Sequence, residues 1–298
     1  MAQTLETLSR HRDTLTSIRG IVRTMKTLSA INATPYEHAA TAIEAYHRTI
    51  LEGFSAFAYR TGEIALRSDD TAGHLLVVFG SDHGLCGNYN EILAQAVKQH
   101  CLMLTDRKPR LLCVGVRMHD ALISQNLSPE HVLLPPASAE GIGRLAGNIV
   151  TRLDIINRDQ ALYRIAVTLA FTQRGQQHLR EPVTQVLLPL APALLRRDRR
   201  WHSRTLPDYS MAPDALLASL IRSHIFASVF RASAEAMVTE NSARLELMQQ
   251  AEQSVDDRLE QVKGELRSVR QTEITDELMD VVISFEALKK HAMRNQSK

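Results

Sequence analysis

The stretch VDDRLEQVKGELRSV, Val255–Val269, decides the fold. Val255, Leu259, Val262, Leu266 and Val269 recur at spacings of four and three, which lays one narrow apolar stripe along a helix. The other faces carry Asp, Glu, Gln, Lys and Arg. A stripe this narrow suits a single partner helix, not a globular core. The helical run reaches from about Ser223 to Leu288, because after Pro213 there is no proline and the only glycine is Gly264. At about 1.5 Å per residue such a helix extends roughly 100 Å. It requires a partner.

The partner is found at the other end of the chain. From about Thr4 to Arg60, Leu8, Leu15, Val22, Ser29, Tyr36, Ile43, Ile50 and Phe57 fall at every seventh residue. Offset by three lie His11, Ile18, Met25, Asn32, Ala39, Tyr46 and Gly53. This is a heptad pattern degraded at His11, Ser29, Asn32 and Gly53, so the pair needs support from its surroundings. Pro35 removes a hydrogen bond and crowds the preceding turn, which predicts a kink or short break near Ala33–Pro35.

Between the two helical runs the pattern changes to short apolar stretches. His74–Gly80, Arg110–Val116, His131–Leu134, Arg164–Phe171 and Val183–Leu188 read as buried strands. Helical stretches at about Asn90–Leu104, Arg117–Gln125 and Ala139–Asn157 lie between them. That alternation predicts βαβ units and a mainly parallel sheet. The expected fold class is α/β: a long antiparallel two-helix coiled coil with an inserted Rossmann-like domain. The expected boundaries are 1–62 for the first coil helix, 73–190 for the α/β domain, 191–213 for a linker and 214–298 for the second coil helix. Within the linker, Arg196–Arg200 (RRDRR) with Trp201 and His202 is the most basic cluster, read as a solvated loop or a docking loop.

Composition narrows the function. A net charge of +2 excludes a nucleic-acid binder dominated by phosphate contacts. Aromatics at 5% fit a helix-rich chain. Cys86, Cys101 and Cys113 lack metal-ligand spacing, so neither a disulfide framework nor a zinc site is expected. No apolar run approaches the ~20 residues of a membrane span. The N-terminal MAQTLETLSRHRD, with acidic residues and no apolar core, reads as neither a signal nor a transit peptide. A soluble protein follows, one able to sit on a membrane complex.

The sharpest local motif is SDHGLCGNYN, Ser81–Asn90, between a strand and a helix. Its glycines match neither G-x-G-x-x-G nor the P-loop, and no Lys-Ser/Thr follows, so no nucleotide site is expected. A tight turn presenting Asp82 and His83 at the surface is the simpler reading. His83 beside Cys86 does not amount to a nucleophile with its base, since no acid is indicated to orient the pair. No cofactor and no metal are expected.

SDHGLCGNYN resembles the S-D-[RK]-G-L-C-G-x-[FY]-N signature of the gamma subunits of F-type ATP synthases. RQTEITDEL, Arg270–Leu278, is similar to that family's R-Q-x-x-I-T-x-E-L segment. TENSARLELM, Thr239–Met248, resembles its S-E-x-x-A-R-x-x-x-M stretch, and IRGIVRTM, Ile18–Met25, its segment ending in T-K-A-M. The four matches keep the family's order and span almost the entire chain. His83 stands where the family has Arg or Lys, and Arg23 stands in place of a Lys. Ile283–Glu286 replaces a small-residue ending, and Pro35 interrupts a helix that is usually unbroken. These departures resemble a divergent branch, like the alternate F-type complexes that some bacteria carry.

The resemblance implies a rotor shaft: terminal helices wound together inside a ring of alpha and beta subunits, the α/β domain outside it near the membrane c-ring. It implies one copy per complex, an epsilon-subunit partner, no catalysis by this chain itself, and a peripheral position on the cytoplasmic face of the bacterial inner membrane. It also implies rotor–stator contacts at Met25, Lys26, Arg244, Arg270, Gln271, Thr275 and Glu277. The signature loop is Ser81, Asp82, His83, Gly84, Leu85, Cys86 and Gly87. Two other classes compete with it, a nucleotide-dependent enzyme and a coiled-coil scaffold or tether.

Overall fold

A computed structural model describes residues 2–62, 73–104, 109–158, 165–175, 180–195, 205 and 207–296. The basic cluster Arg196–Arg200 with Trp201 and His202 lies outside the described residues. The chain forms two compact units. One gathers Leu28–Leu247, and the other combines Met1–Thr27 with Met248–Lys298. Helix α1 (Ala2–Thr61) and helix α5 (Pro213–Gln296) each contribute to both.

In the larger unit, strands β1 (Gly73–Phe79), β2 (Arg110–Val114), β3 (His131–Leu133), β4 (Ile165–Arg174) and β5 (Arg180–Leu188) form one sheet in the order β3-β2-β1-β4-β5. All neighbours are parallel except β4 and β5. Helices α2 (Tyr89–Met103), α3 (Val116–Ser124) and α4 (Ile142–Arg158) connect them. The five strands and three helices expected from the sequence are all present. β1 reads as an unbroken apolar run because it is covered on both faces. Leu75, Val77 and Phe79 share a core with Phe54 and Phe57 of α1, Ile149 of α4, and Ile225 and Val229 of α5. Leu76 and Val78, one residue out of phase, meet Leu93 and Val97 of α2 and Met118 and Leu122 of α3.

This burial also changes the reading of hydropathy along α5. The helix contains one 18-residue window of mean hydropathy 1.3, apolar enough by composition to span a membrane, contrary to the expectation of no such run. Its apolar residues near the N-terminal end, from Ile221 to Ala236, belong instead to the sheet core.

Two details of α1 differ from expectation. The helix passes through Pro35 without a break. The next residue explains how: Tyr36 is buried with Ala40 against Ile142, Ala234 and Val238, and its hydroxyl donates to the Pro136 carbonyl at 3.2 Å. Tertiary packing outweighs the local loss of one backbone hydrogen bond. The second difference is the register of the buried stripe. Leu15, Val22, Ser29, Tyr36, Ile43, Ile50 and Phe57 are all buried. The companion column lies four residues on, not three: Ala40 and Phe54 are buried, Arg19, Lys26, Ala33 and His47 half-buried. Of the expected column, His11, Ile18, Asn32 and Tyr46 face solvent, while Met25, Ala39 and Gly53 are half-buried. Arg19, Lys26 and His47 hid this column from a hydrophobic count, because their stems line the stripe while their polar ends find partners. Gly53 marks a close approach, since a Cβ there would lie 2.9 Å from Leu220 Cδ2.

In the smaller unit α1 and α5 run antiparallel. Leu15 packs with Leu259 and Val262, and Val255 and Leu266 flank them. Arg19 Nε meets Asp256 at 2.7 Å, and further along α1, Arg23 and Lys26 both reach Glu252, at 2.7 and 2.5 Å. Rising numbers on α1 meet falling numbers on α5. The stripe expected at Val255–Val269 is the seam of this pair.

Candidate functional site

The signature loop connects β1 to α2 and is fixed by side chains of its own sequence. Ser81 N–H donates to Asn90 Oδ1 at 3.0 Å, and Asn90 Nδ2 returns a bond to Ser81 Oγ at 2.8 Å. The Ser81 carbonyl accepts from Arg117 and Met118 N–H at the start of α3. Asp82 Oδ1 accepts the Val116 N–H at 3.2 Å, satisfying one of the free donors of that helix end. Leu85 and Gly87 both adopt the left-handed region, with φ of 65° and 66°. Cys86 is buried, which pushes its thiol pKa up. A buried, protonated thiol is a poor nucleophile. His83 and Leu85 are exposed, so the tight turn displays His83 while Asp82 is occupied with α3.

The loop also holds α5. The Tyr89 hydroxyl donates to the Ala236 carbonyl at 3.0 Å and lies 3.2 Å from Thr239 Oγ1, which bonds the Thr172 carbonyl of β4. One turn on, Arg244 Nη2 pairs with Glu240 Oε1 at 2.6 Å, and the two side chains are only 8% and 6% exposed. The same guanidinium donates to the Gly84 and His83 carbonyls at 3.3 and 3.4 Å. Burial pushes the Glu240 carboxyl up and Arg244 draws it back down. Arg244, assigned from the resemblance to a contact with the stator, is therefore turned into its own chain. The i, i+4 spacing of Glu240 and Arg244 was the available signal for this pair, along with Tyr89 and Asn90 at the end of the motif.

The other assigned contact residues separate into two sets. Lys26 is half-buried and bound to Glu252, and together with Arg23 it holds that carboxyl below the usual range. Met25 beside it is half-buried. Arg270, Gln271, Thr275 and Glu277 are exposed on α5, with Thr275 Oγ1 donating to the Gln271 carbonyl. Among them Ile274, and beyond them Leu278, Met279, Val281, Val282, Ile283, Phe285 and Leu288, are also exposed, Phe285 at 67%. Sequence reading expected ion pairs along this end, not an apolar surface on several faces of one helix. Among the described residues no group of three or more His, Cys, Asp or Glu is placed to hold a metal.

Comparison with known proteins gives the same picture. The family model described as ATP synthase matches residues 4–288. The ATP synthase gamma chain of Dinoroseobacter shibae is 27% identical, covering 95% of this chain and 99% of its own. That of Rhodospirillum rubrum is 25% identical over 93% and 98%. Among solved structures, a chain from the rotor of the Euglena gracilis mitochondrial ATP synthase superposes with a TM-score of 0.61 at 13% identity, covering 92% of this chain and all of that one. A chain from the central stalk and c-ring of the Tetrahymena thermophila enzyme gives 0.52 at 19%, covering 78% and 99%. With a family model spanning nearly its whole length and gamma chains as its relatives, this chain belongs to the ATP synthase family.

Proposed function

We propose that this chain is the central rotor shaft of an F-type ATP synthase, a subunit that couples ion-driven rotation to chemistry performed elsewhere in the complex. The antiparallel seam carries the reading: Leu15 against Leu259 and Val262, bordered by Arg19–Asp256 and the Glu252 pairs. Two helices joined along a packed and ion-paired seam resist twisting better than one, as a torque-bearing element requires. Residues 1–62 and 214–298 are the shaft, 73–190 the α/β domain and 191–213 the linker. The similar solved chains come from an ATP synthase rotor and from a central stalk with its c-ring. The partners are accordingly alpha and beta subunits around the shaft, with an epsilon subunit and a c-ring at the α/β domain, one shaft per complex. Its place is the cytoplasmic face of the bacterial inner membrane, held there by its partners.

The mechanism is linkage between shaft angle and nucleotide affinity. Each catalytic site exists in states of different affinity, and an asymmetric shaft favours one state at each angle. Turning the shaft changes affinity, and reciprocally hydrolysis must turn the shaft. The contacts must form and break at every step. Exposed ion pairs, worth about 0–1 kcal/mol each, suit Arg270 and Glu277, while Gln271 and Thr275 add hydrogen bonds and Met25 and Lys26 serve on α1. The exposed apolar end from Ile274 to Leu288 is what a tip enclosed by a housing presents.

Two measurements test the reading. The purified chain is expected to show no ATP hydrolysis above background; robust turnover by it overturns the shaft. Charge reversal at Arg270 or Glu277 is expected to lower coupled ATP synthesis in the assembled complex while the circular dichroism of the free chain stays unchanged. Full coupling in both variants removes them from the contact.

A further inference from the structure

Two histidines from opposite ends of the chain meet inside the larger unit. His47 of α1 presents Nε2 to Nδ1 of His224 of α5 at 3.0 Å, across 177 positions of sequence. His224 is buried with Phe54 edge-on to it, while His47 is half-buried and within reach of solvent. Burial lowers the pKa of both rings, so both are neutral at pH 7. A neutral imidazole is a metal ligand as well as a hydrogen-bond partner. Two further groups stand one turn away. Glu44 precedes His47 by three residues on the same face of α1. It is exposed, and among the described residues it makes no hydrogen bond and no ion pair at contact distance. Ser228 follows His224 by four residues on α5; it is 5% exposed, and its hydroxyl has no partner among the described residues.

We infer that this pair is a binding site for a divalent transition-metal ion of the zinc class, held by His47 Nε2 and His224 Nδ1, with Glu44 and a water completing a tetrahedron. Two nitrogens joined to one tetrahedral zinc by bonds of about 2.0–2.1 Å stand roughly 3.3 Å apart. The 3.0 Å between the rings falls short of that by a few tenths of an ångström, which side-chain rotation at half-buried His47 supplies. As they stand only the two imidazoles converge, and Glu44 becomes the third ligand by turning about its own side-chain bonds. Glu-x-x-His on one helix, facing ligands from another, is the spacing by which helical bundles bring a carboxylate and an imidazole to one metal. A metal-bound water is also the kind of group that a buried, unpartnered hydroxyl such as that of Ser228 calls for. Imidazole nitrogens select against magnesium and calcium, which take oxygen ligands. Glu44 and Arg231 act on His47 with opposite signs, so the surrounding charge does not repel a cation outright. On binding, the hydrogen between the rings moves to the far nitrogen of its own ring. Both facing nitrogens then offer lone pairs, and no proton is released at pH 7. One hydrogen bond between α1 and α5 becomes a coordinate clamp. Spacing within one stretch of sequence could not foretell it, because its ligands come from two.

The full chain, stripped of metal with a chelator, is tested with zinc alone. A single saturable zinc is expected at micromolar concentration. It is expected to slow diethyl pyrocarbonate labelling of His47 several-fold, while the exposed His38 and His83 label at unchanged rates. Magnesium at the same concentration is expected to protect none of the three. His47→Gln is expected to weaken zinc by about tenfold or more, and Glu44→Gln by less, each with the circular dichroism of the wild type. Glu44→Gln changes an exposed side chain and decides the matter even where His47→Gln fails to fold. Zinc affinity unchanged in either folded variant overturns the site. So does equal protection of His38, His83 and His47, or the lack of any saturable binding. None of these outcomes bears on the shaft reading.

Discussion

Glu240→Ala is expected to destabilise the chain by about 3–5 kcal/mol, read as a large drop in the urea midpoint of the larger unit. The reason is what it leaves behind. Arg244 remains 8% exposed with no carboxylate, held only by two long bonds to the Gly84 and His83 carbonyls. A buried charge without its partner keeps its desolvation cost and loses the attraction that offset it. The double variant Glu240→Leu, Arg244→Met is expected to recover most of the loss, because the pair as a whole contributes far less than either half does once isolated. If Glu240→Ala lowers the stability by less than about 1 kcal/mol, the pair behaves like an exposed one and the loop is not anchored through it.

A second large effect is expected on acidification, from a histidine pair between α1 and α5. His47 Nε2 and His224 Nδ1 stand 3.0 Å apart with their rings stacked, and Phe54 meets His224 edge-on. One ring must donate and the other accept, so the bond needs at least one neutral ring. His224 is 7% exposed, and burial with the neighbouring His47 lowers its pKa to about 4. His47 is lowered by burial and by Arg231, with Glu44 opposing. The unfolded chain protonates His224 near pH 6.5 and the folded chain only near 4, and His47 is shifted in the same direction. The folded state therefore loses stability as pH falls from about 6.5 towards 4, and the slope vanishes above 7. For His224 alone the integrated loss is about 3 kcal/mol. His100, also lowered by burial, adds the same sign. The difference between the wild type and His47→Leu, His224→Phe isolates the pair: the double variant is expected to show a flatter midpoint between pH 4 and 6.5. Equal slopes would mean that the pair is already open to water.

What the sequence disclosed was set by how far each signal depends on local chemistry. The α5 stripe was legible because Val255, Leu259, Val262 and Leu266 are apolar residues on a polar helix, and that contrast survives without knowing the partner. The strands were legible because β1 and β4 are covered on both faces and read as continuous apolar runs. The companion column of α1 was not, since Arg19, Lys26 and His47 are half-buried through pairings with Asp256, Glu252 and His224, which no count along α1 can contain. The unbroken helix at Pro35 was hidden for a similar reason: the proline's cost is local, while the packing of Tyr36 comes from residues about a hundred to two hundred positions away. The motif Ser81–Asn90 stood out in sequence, but its support of a helix shows only in what Tyr89 and Arg244 touch.

The grip of that loop on α5 has a mechanical consequence. Ala236, Thr239 and Arg244 lie along one side of the helix over about two turns, and they are engaged by Tyr89, by the Thr172 carbonyl of β4 and by the carbonyls of His83 and Gly84. A helix seated only on hydrocarbon could slip about its own axis within its bed at small cost. Here any slip must break several directional bonds at once, so the helix is keyed to the sheet as an axle is keyed to its wheel, and neither can turn without carrying the other.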